Sequence, residues 1–409
     1  MNISYKTMKI QYNVDNLIEH CILAVTFFLP ISLNVSSGFL GMGAILWLGK
    51  MLGKGKLDFK KTPFDVAIAL LVVLSAASIW ASPDRAFSFY NYYNLMGRYV
   101  LIYYLVVNNI NSGTQIKRII WTMLASAAMV TLYGFYQYLY GVNTLANEWV
   151  DGKQFPDLKI RVFSTLKNPN LLAGFLVTMM AIGASMGYKA ATIKGKVVLF
   201  SLVLMFGACL VLTYSRGAWL SLLAVIIVYG MLCNRKIFWL LILLPFAMIC
   251  GHEGILERIM SIINPTDTSS TLRMALWEST IAMIRDKPFL GIGWGAYWLV
   301  YPEYDFFLNN ANVKIFHAHN MYLNIAAEIG IPGLIAFLTI MCGHIRLALS
   351  VFRGETESWL SGLMLGIIAA IGGIVINGLT DYVLFNIQLS MLYWLLNGLI
   401  VVVWRQRHP

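Results

Sequence analysis

The stretch FHAHNMYLNIAAEIGIPG, residues 316–333, sets two histidines one residue apart, just ahead of a long apolar segment. Imidazole titrates near neutral pH, so a histidine at a water boundary suits general-base work. Paired histidines also bind metals, yet His317 and His319 would point about 200° apart on a helix. A helical zinc pair prefers the four-residue spacing of HExxH, which the chain lacks. A metal would need a further ligand, for which Glu303 and Asp305 are the candidates, and the expectation is no metal. Of the two histidines, His319 abuts the helix start and Asn320, which fixes it better as a base. Glu328 follows nine residues later, on roughly the opposite helical face, and reads as a separate polar contact.

Arginine forks bind the oxygens of phosphates and stay charged at any relevant pH. Arg216, in VLTYSRGAWLSLL, has long apolar runs on both sides. A charge there is either an arginine snorkelling to headgroups or a functional group. The small neighbours Ser215 and Gly217 would let another group approach the backbone, which favours function. Arg273 lies four residues before Trp277, on one face of a helix, either as an interfacial pair or as part of a site. In KNPN, residues 167–170, Asn168 and Asn170 can cap a helix whose first turn holds Pro169. The same helix start, with Arg161 and Lys167 nearby, favours an anion. FLGIGWGAY, residues 289–297, resembles half a nucleotide fingerprint, but no strand precedes it, so a tight glycine turn after Pro288 is expected.

The elements that position these groups are membrane spans. Of 409 residues, 59% are hydrophobic and 12% charged, with mean hydropathy +0.70. A soluble chain carries about 25% charge. Apolar runs long enough to cross a bilayer recur along its length, and they lack the alternation of a barrel. The expected fold is all-α and polytopic, with about twelve spans near 17–34, 37–53, 64–82, 95–111, 117–140, 169–188, 196–214, 217–233, 236–251, 320–344, 358–379 and 382–404. Eighteen of the 30 Lys and Arg residues fall in short segments on one side if both termini are cytoplasmic. The net charge of +11 is therefore a topology signal and not a nucleic-acid footprint. The five cysteines show no paired spacing and read as small core residues.

This layout divides the chain into an N-terminal bundle (1–251) with an external loop near 141–168, a large external loop (252–319), and C-terminal spans (320–409). Loops this long carry function or structure of their own. Within the large loop, residues 271–286 have caps and helical spacing of Met274, Trp277, Ile281 and Ile284. They predict an amphipathic helix lying on the outer membrane surface.

Four stretches in this order, STLKNPNLLAGF (164–175), TYSRGAW (213–219), LRMALWESTIAMIRDKPFLGIGWGAY (272–297) and HAHNMYLNIAAEIGIPGL (317–334), resemble the bacterial O-antigen ligase and polymerase superfamily. A chain near 400 residues with one large external loop looks most like the ligase. The resemblance implies an inner-membrane enzyme with its active site facing the periplasm. Such an enzyme moves a glycan from undecaprenyl diphosphate to the lipid A core in lipopolysaccharide biosynthesis. It further implies Arg216, Arg273 and His319 as catalytic residues. His317, Asn320, Trp277, Asn170, Lys167 and Arg161 are candidate substrate contacts, while Arg285 and Glu328 stay unassigned. The expected partners are the lipid-linked donor, the lipid A core acceptor and membrane lipids, with no cofactor. One displacement at the anomeric carbon, with no paired carboxylates for a second, predicts inversion. A polymerase with the same donor is the alternative. Oligosaccharyl transfer to protein and secondary transport rank lower, since a transporter expects internal repeats and charges at the midplane.

Overall fold

The computed structural model describes residues 2–53, 55, 59–141, 161–241, 268–305, 315–354 and 358–407, and the described residues form helices and turns with no strand. The chain folds as α1 (Asn2–Phe28), α2 (Leu33–Gly53), α3 (Asp65–Ser78), α4 (Arg85–Asn109), α5 (Gly113–Tyr140), α6 (Pro169–Lys189), α7 (Ile193–Leu212) and α8 (Arg216–Leu232). After these come α9 (Thr268–Asp286), α10 (Tyr297–Val300), α11 (Met321–Gly354), α12 (Ser358–Asn377) and α13 (Ile387–Arg407). Seven helices, α2, α5, α6, α7, α11, α12 and α13, are long and apolar enough to cross a membrane, and α3 and α8 are shorter apolar helices. The protein is a polytopic, all-helical membrane protein. Helices occupy eleven of the twelve expected spans. The ninth, 236–251, passes from a 3-10 turn at Arg235–Trp239 into residues outside those described. The expected loop near 141–168 also lies mostly outside them.

Helix ends follow from local chemistry. Ser112 and Gln115 form a capping box on α5, and Gly141 ends that helix in the left-handed region. Asp84, Asn168 and Thr192 cap α4, α6 and α7 through their side chains. Between helices, small residues permit close approach. On α12, Gly362 and Gly366 lie against Ser185 of α6, whose hydroxyl donates to the Gly362 carbonyl at 2.7 Å. The helix α12 packs on α6 and α8, α13 on α4, and α11 on α3, around one continuous apolar core.

A second, smaller core holds the segment between α8 and α11 on the bundle. Leu276 and Met283 of α9 pack with Ile292, Tyr297, Ile315 and Ala318 against Ala327 of α11. The expected helix is therefore present, but it buries a different face. Ala275, Leu276, Ser279, Thr280 and Met283 are buried, while Met274 and Ile281 are exposed. The face is turned by one residue, about 100°. The cause is a protein surface beneath the helix, where Thr280 and the Tyr297 hydroxyl share a hydrogen bond of 2.8 Å.

The glycine stretch fastens this segment to α11. That helix breaks at Gly330 (φ 74°, ψ 173°), and Pro332 has no N–H for the Glu328 carbonyl. Ile331 donates instead to the Pro288 carbonyl at 2.8 Å. The freed carbonyls of Ala327 and Glu328 accept from Ile292 (2.8 Å) and Gly293 (3.1 Å). The expected glycine turn is thus a brace between two backbones. A Cβ at Gly291, where φ is 71°, would fall 2.5 Å from both carbonyls. Gly291→Ala is expected to cost about 3 kcal/mol, from left-handed strain plus overpacking. Melting in detergent checks this against Gly38→Ala, where no neighbour lies within 4 Å and little change is expected.

Candidate active site

The start of α11 is tied to the turn that follows α12. Asn320 accepts from the N–H groups of Tyr322 and Leu323, each at 3.0 Å, and donates to the Leu379 carbonyl at 3.1 Å. Its side chain is committed to the fold, so the helix-start reading holds and Asn320 positions its neighbours. The Met321 N–H adds a bond to the Gly378 carbonyl at 2.8 Å. Across this junction, His319 Nδ1 lies 3.2 Å from Oδ1 of Asp381.

Asp381 is the residue that sequence reading missed, and it organises the site. Its Oδ1 also accepts from its neighbour Tyr382 N–H at 2.8 Å, and its Oδ2 from Asn170 Nδ2 at 3.1 Å. Burial alone would raise its pKa. The His319 hydrogen bond and the charges of His319, His317 and Arg273 outweigh that and hold the carboxyl below the usual range. An ionised carboxylate only accepts, so His319 Nδ1 is the donor in this bond, and in the neutral ring Nε2 is the nitrogen with the lone pair. The His319 side chain is 32% exposed and that of Asp381 13%, so solvent reaches the imidazole but hardly its partner. His319 also sits at φ 48°. Residues held in such conformations cluster at functional sites, at a cost of about 1–3 kcal/mol.

His317 stands beside this pair, its ring 4.3 Å from that of His319, with Nδ1 accepting the His319 backbone N–H at 3.2 Å. Burial, then the charges of His319 and Arg273, push its pKa down to about 3. A folded-state value below the unfolded one means the unfolded chain binds more protons in between. The stability contribution is therefore full above about 6.5 and is lost as pH falls toward 3. The melting temperature should drop between pH 7 and pH 5, and His317→Asn should flatten that slope.

The arginines arrive from two other elements. Arg273, on α9, acts electrostatically on both His317 and Asp381. Arg216 opens α8 directly after the tight α7–α8 turn, and Ser215 makes no side-chain cap there. The close approach expected at Gly217 is made by the Asn377 and Thr380 side chains, 3.4 and 3.5 Å from where its Cβ would stand. The start of α8 thereby faces the turn that carries Asp381.

Around residue 168 the capping expectation holds for Asn168, while Asn170 is turned elsewhere. Asn168 is the cap of α6, and Asn170 reaches across to Asp381. Arg161 donates to the Asn170 side chain at 3.0 Å and to the Thr213 carbonyl at 2.8 Å. Arg161 and Asn170 thus prop the carboxylate. Lys167 is exposed and makes no hydrogen bond or ion pair among the described residues. Trp277 is half-buried on α9, with an indole N–H that finds no partner among the described residues. Arg285 lies in the last turn of α9.

Glu328 is buried inside the bundle, against the backbone N–H groups of Gly295 and Tyr297. It is a separate polar contact, as expected, and not a partner of His319. The one group of possible metal ligands among the described residues is His317, His319 and Asp381. Its third member is neither Glu303 nor Asp305.

An ionised carboxylate orienting an exposed imidazole, with guanidinium groups nearby, can take a proton from a hydroxyl while an anion leaves. None of the curated proteins compared matches the chain. Residues 200–338, which include Arg216, Arg273 and His319, match the O-antigen ligase family, so this part of a polytopic membrane protein is similar to that family.

Proposed function

We propose that the protein is a glycosyltransferase at the periplasmic face of the inner membrane, with both termini cytoplasmic. It transfers a glycan from undecaprenyl diphosphate to the lipid A core. The observation that carries this reading is the His319–Asp381 pair under the charge of Arg273. His319 Nε2 takes the proton of an acceptor hydroxyl as that oxygen attacks the anomeric carbon. The bond from this carbon to the phosphate oxygen breaks, and undecaprenyl diphosphate leaves with the electron pair. Arg216 and Arg273 bind the diphosphate and stabilise the charge that develops on it, the task a metal ion performs in other diphosphate chemistry. A single displacement inverts the anomeric centre. Trp277 and His317 line the sugar side. In this reading 1–251 and 320–409 form the bundle, and 252–319 covers its periplasmic end.

The test is purified protein in detergent with undecaprenyl-diphosphate glycan and lipid A core, with and without a chelator. The expected result is an inverted glycan on the core sugar that the chelator does not diminish. Lengthened lipid-linked glycan and no modified core would replace the ligase by the polymerase, which shares the donor and the same family match. Absence of both products would overturn the reading.

A further inference from the structure

His317, His319 and Asp381 each offer one ligand atom, and these atoms lie within 4.8 Å of one another. Two imidazoles and a carboxylate are a donor set that zinc and copper take readily and magnesium does not. The fit goes further than composition. Zinc bonds of about 2.0–2.2 Å at tetrahedral angles place ligand atoms roughly 3.3 Å apart. His319 Nδ1 and Asp381 Oδ1 are 3.2 Å apart, a spacing that suits a shared proton and a shared ion alike. The widest pair must close by roughly 1.5 Å to complete the site. His317 belongs to the loop ahead of α11.

We propose that these three residues form an inhibitory site for a borderline-soft divalent cation, zinc above all. The inference rests on the reading of His319 as the base. Transfer needs the proton on Nδ1, bonded to Asp381, and the lone pair on Nε2. A cation between Nδ1 and Asp381 takes the Nδ1 lone pair and leaves the ring proton on Nε2. The base becomes a donor facing the acceptor hydroxyl, and the ion also removes Asp381 as its partner. Inhibition therefore follows from the tautomer, without any need to block the entrance. Arg273, whose charge acts on Asp381, opposes the ion and sets its affinity below that of structural zinc sites.

The experiment uses the full chain in detergent without a histidine tag, and zinc alone as the probe. Calorimetric titration without substrate is expected to show one bound zinc. Binding should be at least about tenfold weaker in His317→Ala, in His317→Gln and in Asp381→Asn, and magnesium should not compete. Equal melting temperatures establish that the variants are folded. In the transfer assay, zinc at the concentration that saturates the titration should abolish turnover, and a chelator should restore it. The half-inhibitory concentration should rise by the same factor in His317→Gln, measured on whatever activity that variant keeps. No stoichiometric zinc, or binding unchanged in all three variants, would overturn the site. Turnover that falls with the chelator and returns with zinc would overturn its inhibitory sense. Stoichiometric binding in a protein without transfer activity would leave the site and sink the reading of His319, so the two failures are distinguishable.

Discussion

His319→Ala is expected to lower the turnover of glycan transfer by roughly 10²–10⁴-fold, the range for loss of a general base. The melting temperature should hardly change. The imidazole makes its one side-chain bond to Asp381, and its ring is about a third exposed, so little packing is lost. Asp381→Asn separates orientation from mere proximity. The substitution keeps the shape but turns an acceptor into a group that can present an N–H to Nδ1. The imidazole then favours its other tautomer, with the proton on Nε2, where it cannot accept one from the substrate. Turnover should fall nearly as far as in His319→Ala while the KM for the lipid-linked donor holds. The double variant should be no worse than the poorer single one, because the two groups act as one unit. Asp381→Glu, which keeps the charge on a longer arm, should recover part of the rate. Wild-type turnover in His319→Ala would remove the base assignment outright.

The parts of this site differ in how legible they are in the amino-acid sequence. Spans read easily because apolar runs of bilayer length leave few alternatives. The caps at Asn168 and Asn320 read easily too, because their signals lie within three residues. Arg216, Arg273 and His319 stand out as polar groups at apolar boundaries. Asp381 does not, because its partner lies 62 residues away and its own surroundings are an ordinary turn between the last two spans. The available signal is its cost: a carboxylate in so short a connection needs a partner, and none is near in sequence. Arg161 and Asn170 are legible as a polar pair at a helix start, but not as a prop for that carboxylate. For α9, periodicity specifies a helix and leaves two apolar stripes, and only the surface beneath decides which one is buried.

The two arginines allow a sharper test than removal of charge. Arg216 stands at the first position of a 17-residue helix, where its cation opposes the positive end of the helix dipole. Unlike the N-cap residues of α4, α5, α6 and α7, Ser215 makes no side-chain cap on this helix. An anion at that place would sit at the positive end of the dipole and pair with the guanidinium. Arg273 comes from the other side on α9, which the brace at Gly291 and Gly293 holds against α11. If the pair clamps one diphosphate, Arg216→Ala and Arg273→Ala should each lower turnover by about 10²–10³-fold. Arg273→Lys should recover only a small part, since lysine keeps the charge and loses the fork. Undecaprenyl diphosphate, the product of the proposed reaction, should inhibit each variant more weakly than the wild type. The double variant should fall short of the product of the single effects, because both groups act on one ligand. Strict additivity, with product inhibition unchanged in Arg216→Ala, would separate the two arginines. It would leave Arg273 alone on the diphosphate, and Arg216 at the headgroups.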